Sequence, residues 1–219
     1  MEVMNFNISP YCSAGHSAFY TNEALGIKNE SVPFAKTETE LVYNMKTCFQ
    51  FENVDMYEHG LMVNREYTNI LYMLQLGLVD EVFPPELLDI FKTHPLLPLD
   101  VMSKYQILHD CGKPLCLKVD GQGRRQYPNH AFISYQQVLK LFPEDHDLHY
   151  LVLHDMDFHT LKNEELESLA KSKYGFSLYL TAWAELIANS QMFGGYDNVS
   201  FKIKRKKLIK SLKLFRENK

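Results

Sequence analysis

The chain has 219 residues, 46% of them hydrophobic and 23% charged, with a net charge of −4, which is ordinary for a soluble globular protein. Its four cysteines form no CxxC pair, which argues against a zinc ribbon and predicts reduced thiols in the cytoplasm. The first residues lack a signal peptide's basic start and apolar run, and no apolar stretch approaches the ~20 residues that cross a bilayer. We therefore expect a cytoplasmic protein that does not enter a membrane.

The first half of the chain predicts two long helices after an irregular start. Residues 1–36 show no periodicity and predict a loop-rich segment, followed by a helix over residues 38–51. Asp55 with Glu58 resembles a capping box, so a second helix begins there. His59 lies on its inward face, which repeats at helical spacing. The other residues of that face are Val63, Tyr67, Ile70, Leu74 and Leu78.

The second half predicts shorter helices around one β-hairpin. A short helix is predicted over residues 84–91. Asp100 is expected to cap the next helix, whose inward residues are Val101, Tyr105 and Leu108. That helix should end at Gly112, because Pro114 prevents it from continuing. Glycines within residues 115–127 indicate a small hairpin. Asn129 is expected to cap the following helix. The remaining predicted helices run to 142, then over 145–154, 163–173, 176–192 and the tail.

The sharpest local feature is the segment from Leu108 to Pro114, which reads LHDCGKP. His109 beside Asp110 at the end of a helix brings an imidazole nitrogen and a carboxylate oxygen to one place. Mixed nitrogen and oxygen donors suit Mg, Mn, Fe, Ni or Zn. Lys113, on the next turn, would meet a phosphate.

Three further histidines fall at inward positions of separate predicted helices. His59 is 50 residues before His109, His130 is 21 after it, and His154 is 24 after that. Four buried imidazoles would each need a polar partner if they were only packed in a core. Their recurrence beside an Asp therefore indicates a shared metal site.

At these residues the sequence resembles the HD superfamily of metal-dependent phosphohydrolases. The matching segments are YEHG at residues 57–60 with Val63, LHDCGKP, PNHA at 128–131 and VLHD at 152–155. The pattern is most similar to the HD domain attached to CCA-adding tRNA nucleotidyltransferases, over about residues 55–195. Nothing resembles the nucleotidyltransferase catalytic domain, so CCA addition is not implied.

The resemblance implies an all-α HD-type bundle with one divalent metal, sometimes two. The implied domains are an N-terminal extension (1–54) packed on the core, the metal domain (55–195) and a basic amphipathic helix (196–219). The first metal ligands would be His59, His109 and Asp110. His130 and His154 match positions for a second metal or the substrate phosphate. Glu185 stands where the family has its closing Asp, with Asp155 and Asp157 as rival donors.

The implied activity is hydrolysis of a phosphate on a nucleotide, a cyclic nucleotide or an RNA end. Catalytic roles would fall to Asp110, Lys113 and His130. Lys113, with Arg124 and Arg125 of the glycine-rich turn, would neutralise the substrate phosphate, although a solvated loop equally explains the two arginines. Two further histidines, His146 and His159, are expected at the surface.

Two alternatives concern binding. The departure at Glu185 also fits an HD-type module with an impaired site that only holds a nucleotide or nucleic acid. The tail from Lys202 to Lys219 has nine basic residues and one acidic one, a charge of +8 against −12 for the rest. Its basic face would contact nucleic-acid phosphates or solvate a docked helix. The docking side would consist of Leu208, Ile209, Leu212 and Phe215.

Overall fold

The computed structural model describes residues 32–216 and is mostly helical, which confirms the predicted all-α class. The two short antiparallel pairs are β1 (Phe49–Phe51) with β2 (Val54–Asp55), and β3 (Lys118–Val119) with β4 (Arg125–Gln126). The second pair is the hairpin predicted within residues 115–127. The helices are α1 (Glu38–Lys46), α2 (Met56–Gln75), α3 (Leu87–Phe91), α4 (Leu99–Leu108), α5 (Lys113–Cys116), α6 (His130–Leu141), α7 (His146–Leu153), α8 (Asp157–Thr160), α9 (Asn163–Lys171), α10 (Gly175–Met192) and α11 (Val199–Ser211), with a 3-10 turn at Leu212–Phe215.

The core is built around α10, which packs on α2, while α2 packs on α4. All but two of the 18 residues of α10 are buried. A helix that is apolar on every side belongs in the middle of a fold rather than at its surface. Trp183, at its centre, is fully buried and lies against the ring of Phe83 at 5.1 Å between centroids.

A buried polar chain fixes the rotation of these three helices. Asn64 of α2 donates its amide to the side-chain oxygen of Gln106 on α4 at 2.8 Å. The Gln106 amide nitrogen donates in turn to the Thr181 hydroxyl on α10 at 3.0 Å. Because Gln106 is fully buried, rotation of α4 would leave its amide unsatisfied, at a cost of roughly 1–3 kcal/mol.

Helix α2 approaches α4 most closely at Gly60. A Cβ at this position would lie 2.8 Å from the Cα of Ile107 and closer still to its carbonyl oxygen. Only glycine allows this separation, which brings the α2 residue His59 beside the end of α4.

The helix starts follow the sequence where a carboxylate caps the first turn. Asp55 accepts the Glu58 amide at 2.7 Å, and Asp145 accepts the Leu148 amide at 3.1 Å. The predicted cap at Asp100 is wrong, and Asn129 stands at the predicted N-cap position of α6 but does not cap the helix through its side chain. Asp100 lies inside α4, after Pro98, and Asn129 adopts a left-handed conformation (φ 54°) in which its side chain makes no capping hydrogen bond.

Three predicted element boundaries are also wrong. The helix expected over residues 38–51 ends at Lys46, because β1 and β2 pair immediately after it. Leu78, expected on the inward face of α2, lies beyond the end of that helix and is exposed. Pro114 does not stop a helix but lies in the first turn of α5, where its missing N–H needs no acceptor. On α4, Tyr105 and Leu108 are buried and Val101 is partly buried.

The basic tail is docked through its apolar side, as its spacing predicts. Leu208, Leu212 and Phe215 are buried, and Ile209 is partly buried. The Phe215 ring lies 5.1 Å from that of Tyr179 on α10.

Residues 33–216 belong to a single compact unit, and α1 shares the core of the helices that follow. The predicted irregular start, residues 1–31, lies outside the described residues. Within residues 32–216, no helix has both the length and the apolar composition needed to span a bilayer.

Candidate metal centre

Three side chains from two helices converge at one buried point. His59 comes from α2, and His109 and Asp110 follow the last turn of α4. Their donor atoms all lie within 4.8 Å of one another. Asp110 Oδ2 is 3.1 Å from His109 Nε2 and 3.8 Å from His59 Nε2. Donors on one ion with bonds of about 2.0–2.2 Å stand about 3.0–3.6 Å apart, so the group could hold a metal ion after small adjustments.

The ring of His109 is oriented by the backbone. Its Nδ1 lies 2.7 Å from the carbonyl oxygen of Gln106, so Nδ1 carries the proton and donates it. Nε2 is therefore the ring nitrogen that faces Asp110, and it can ligate a metal once it gives up its own proton. A backbone carbonyl that fixes the tautomer of a ligating histidine in this way is usual in metal sites.

His130 repeats this arrangement on the other side of the carboxylate. Its Nδ1 lies 3.0 Å from the carbonyl oxygen of Tyr127, and its Nε2 lies 3.6 Å from Asp110 Oδ1. The start of α6 is brought here because Gly112 donates its backbone N–H to Ser134 Oγ at 2.8 Å. His130 thus adds a fourth donor atom, the third nitrogen, near the group. Its side chain is 17% exposed, so it forms the solvent-facing edge of the site.

Several buried polar atoms of this group lack a hydrogen bond. They are both ring nitrogens of His59, Nε2 of His109 and Oδ1 of Asp110. Such atoms cost free energy when they are buried without a partner. Lone pairs and a carboxylate oxygen directed at one point are what a cation satisfies, so the residues present fit a divalent metal.

The protonation states favour the same interpretation. Burial lowers the pKa of His59 to about 3, which keeps it neutral and able to ligate. Burial would lower the pKa of His109 as well, but the Asp110 and Asp155 carboxylates raise it to about 10. Burial would raise the pKa of Asp110, yet His109 and Lys113 hold it well below its ordinary range. The point between these side chains therefore attracts positive charge, whether a proton, an ammonium group or a metal ion.

Lys113 places an ammonium group at the edge of the site. Its Nζ donates to Asp110 Oδ2 at 2.6 Å and to Gln50 Oε1 on β1 at 2.9 Å. The side chain is only 7% exposed. Strand β1 therefore helps to hold the ammonium group of Lys113, which is predicted from the sequence to bind the substrate phosphate.

A second buried acidic group lies near the three-donor group. Tyr105, one helical turn before His109, donates its hydroxyl to Asp155 Oδ1 at 2.6 Å, while Oδ2 of Asp155 has no hydrogen-bond partner. Burial raises the pKa of Asp155, although the charge of His109 opposes this. Asp155 is thus a buried carboxylate with one free oxygen, within electrostatic range of His109.

Glu185 is placed differently from the expectation of a closing ligand. Its Oε2 lies 2.7 Å from Nε2 of His159, and it is not one of the three grouped donors. Burial would raise the pKa of Glu185, but the charge of His159 lowers it well below its ordinary value. The prediction that His159 is a surface residue is wrong, because its side chain is only 4% exposed and forms this pair. His146 is exposed as expected.

Two other candidate ligands, His154 and Asp157, have partners outside the three-donor group. His154 Nδ1 lies 2.6 Å from Asp157 Oδ2, so these two side chains are paired with each other. The His154 ring also packs on Tyr150 at 4.3 Å between centroids. Neither belongs to the three-donor group, so their ligand roles stay predictions.

The two arginines of the glycine-rich turn differ. Arg124 donates from Nε to Asp120 at 2.7 Å within the turn itself. Arg125 donates to the carbonyl oxygen of Phe49 on β1 at 2.9 Å. Lys113 donates to Gln50, the next residue of the same strand, so Arg125, unlike Arg124, lies on the side of the site.

No site role was predicted for Gln50, Tyr105 or Tyr127, which orient Lys113, Asp155 and His130. Of these, only Tyr105 carried a signal, since it lies four residues before His109 and so on the same helical face.

The chain matches no protein-family model, no curated protein and no solved structure. Its function must therefore be inferred from the site.

Proposed function

We propose that the chain is an HD-type, divalent-metal-dependent phosphohydrolase that acts on the phosphate of a nucleotide, a cyclic nucleotide or an RNA end. The observation that carries the proposal is the group of His59, His109 and Asp110, whose donor atoms lie within 4.8 Å of one another and which includes four buried polar atoms without a hydrogen bond. When bound there, a divalent ion supplies Lewis acidity towards a phosphoryl oxygen and acidifies a bound water.

The charged side chains around the group suit a phosphate ligand. Lys113 offers an ammonium group 2.6 Å from Asp110, and Arg125 offers a guanidinium group on the same side. His130, at the exposed edge, directs Nε2 inward. In this proposal the phosphate enters past His130, and Lys113 and Arg125 bind its oxygens. Asp110 orients both the metal and the Lys113 ammonium.

Metal analysis combined with a substrate screen tests the proposal. The purified protein is loaded separately with Mg, Mn, Fe, Ni or Zn and assayed on nucleotides, cyclic nucleotides and phosphorylated RNA ends. We expect about one metal per chain and turnover that Asp110→Asn abolishes, with the fold checked by circular dichroism. Asp89→Asn, the same change at an exposed carboxylate, should leave both unchanged. Absence of bound metal together with absence of turnover would refute the proposal.

The binding module with an impaired site is the second candidate. It is favoured by one observation, the pairing of Glu185 with His159 at 2.7 Å. This pairing occupies the carboxylate that is expected to be the closing metal ligand. In that case a nucleotide would bind and raise the melting temperature, but no phosphate would be released with any of the five metals.

A further inference from the structure

The basic residues of the C-terminal helix fall into two groups. Four of the eight basic residues between positions 202 and 216 form hydrogen bonds or ion pairs with other residues. Arg205 donates to the carbonyl oxygens of Glu81 and Val82, and Lys207 donates to that of His159. The other two form ion pairs, Lys202 with Asp197 and Arg216 with Glu86.

Three of the remaining lysines form an exposed row: Lys206, Lys210 and Lys213. Lys206 and Lys210 are four residues apart on one side of α11, Lys213 follows three residues later in the 3-10 turn that continues it, and all three are exposed. Within residues 32–216, none of their ammonium groups takes part in a hydrogen bond or an ion pair. We call these three residues the lysine row.

We propose that the lysine row binds the phosphate backbone of a nucleic-acid strand. At about 1.5 Å of rise per residue, the row spans roughly 10 Å along the helix. A nucleic-acid strand carries one phosphate per about 3.4 Å of duplex axis, so three ammonium groups can meet neighbouring phosphates. The proposal goes beyond the phosphohydrolase activity, because this contact requires neither the metal nor the buried site.

The surroundings of the row favour a polyanion in solution over a lipid surface. A helix that lies on a membrane inserts a broad apolar face, but here the large apolar residues Leu208, Leu212 and Phe215 are buried in the fold. The same side of the helix exposes only Val199 and Ile203 as apolar residues. A row of charges without an apolar face beneath it fits phosphate contacts.

The row also has no structural role that would account for it. Exposed lysines without a hydrogen bond or ion pair within residues 32–216 contribute little to stability, whereas the neighbouring Arg205 and Lys207 hold the helix to the body. The row can therefore be changed without disturbing the docked helix, which makes the proposal testable.

The test measures binding of fluorescein-labelled single-stranded RNA and DNA 20-mers and of duplex DNA by anisotropy. The full chain is titrated in EDTA, so that the metal centre does not contribute, at several salt concentrations. The row variant carries Lys206→Gln, Lys210→Gln and Lys213→Gln. The matched control carries Lys92→Gln, Lys140→Gln and Lys171→Gln, which removes the same charge from exposed lysines elsewhere. Anionic phospholipid vesicles form a separate arm.

We expect wild type and control to bind at least one nucleic acid, and the row variant to bind about tenfold or more weakly near 0.1 M salt. Each contact with a single strand contributes about 0.7 to the slope of log affinity against log salt, so the row variant should lose about 2 from that slope. Its melting temperature should not change. No binding by the wild type, equal losses in row variant and control, or row-dependent binding to vesicles alone would each overturn the proposal.

Discussion

The carbonyl oxygen of Gln106 lies 2.7 Å from Nδ1 of His109, and this hydrogen bond turns Nε2 of the ring towards Asp110. The side chain of the same Gln106 is held by Asn64 on one side and Thr181 on the other. The orientation of a candidate metal ligand therefore depends on how three helices pack, and not on the local His-Asp pair alone.

Because the site depends on how α2 packs against α4, Gly60→Ala should disturb it. The new Cβ would overlap the backbone of Ile107, so α2 must move away from α4 and take His59 with it. We expect a loss of roughly 1–3 kcal/mol of stability in urea unfolding and about tenfold weaker metal binding by calorimetry. Gly121→Ala is the control, because a Cβ there meets nothing within 4 Å. If both variants bind metal like the wild type, the close approach of the helices does not set the site.

A pair of isosteric changes tests which further carboxylate, Asp155 or Glu185, contributes to the metal centre. Asp155 has a buried oxygen without a partner, whereas Glu185 is already paired with His159. We therefore expect Asp155→Asn to weaken metal affinity about 10–100-fold, as changes around metal ligands do, and Glu185→Gln to weaken it less. Metal content and calorimetric titration give the comparison. The reverse order would make Glu185 the closing ligand, as the sequence resemblance implies.

The two neighbouring arginines offer a similar contrast for substrate binding. Arg125 lies on the side of Lys113, while Arg124 is paired with Asp120. Arg125→Gln should raise KM for a phosphate substrate about tenfold, the equivalent of about 1.4 kcal/mol, and Arg124→Gln should leave it nearly unchanged. Steady-state kinetics on the best substrate of the screen decides this. Equal KM values for the two variants would remove Arg125 from the phosphate site.

Local sequence patterns predicted the parts of the site that depend only on the phase of each helix by itself. The inward phase of His59 on α2 and the adjacent pair at the end of α4 were enough to predict three converging donors. The helix start at Asp55 was also predictable, because its cap acts on an amide only three residues away.

Contacts between distant segments were not predictable in the same way. Nothing in the spacing of His159 and Glu185 shows that α8 packs against α10 and pairs them. Similarly, Gln50 reaches Lys113 across 63 residues, from a strand that helical periodicity had assigned to α1. Burial of such polar groups is decided by tertiary packing, on which local periodicity carries no information.

The capping residue Asp145 predicts a pH dependence of stability. Burial would raise its pKa, but the Lys104 ammonium at 2.8 Å and the Leu148 amide lower it below the ordinary value of 3.8. A carboxyl with a lowered folded-state pKa stabilises the protein above its unfolded value and loses that contribution as the pH falls through the folded value. Asp145→Ala should therefore cost about 0.5–2 kcal/mol at pH 7 and progressively less below pH 3.8.

Urea unfolding at pH 7 and pH 3 measures this difference. Asp89→Ala, at an exposed carboxylate with only a 3.9 Å contact to Lys92, should change stability little at either pH. A cost of Asp145→Ala that does not depend on pH would show that its charge contributes nothing.

In the docked tail, the buried apolar side chains should contribute far more to stability than the lysines do. Leu212 is almost completely buried, next to the Phe215 that contacts Tyr179, so Leu212→Ala should cost roughly 2–5 kcal/mol and lower the melting temperature. Ile203→Ala provides the control on the same tail, because Ile203 is 65% exposed and should cost about 0.5 kcal/mol or less. Among the lysines, Lys207→Gln should destabilise slightly, because it removes the bond to His159. If Leu212→Ala and Ile203→Ala melt alike, the tail is not held by its apolar side.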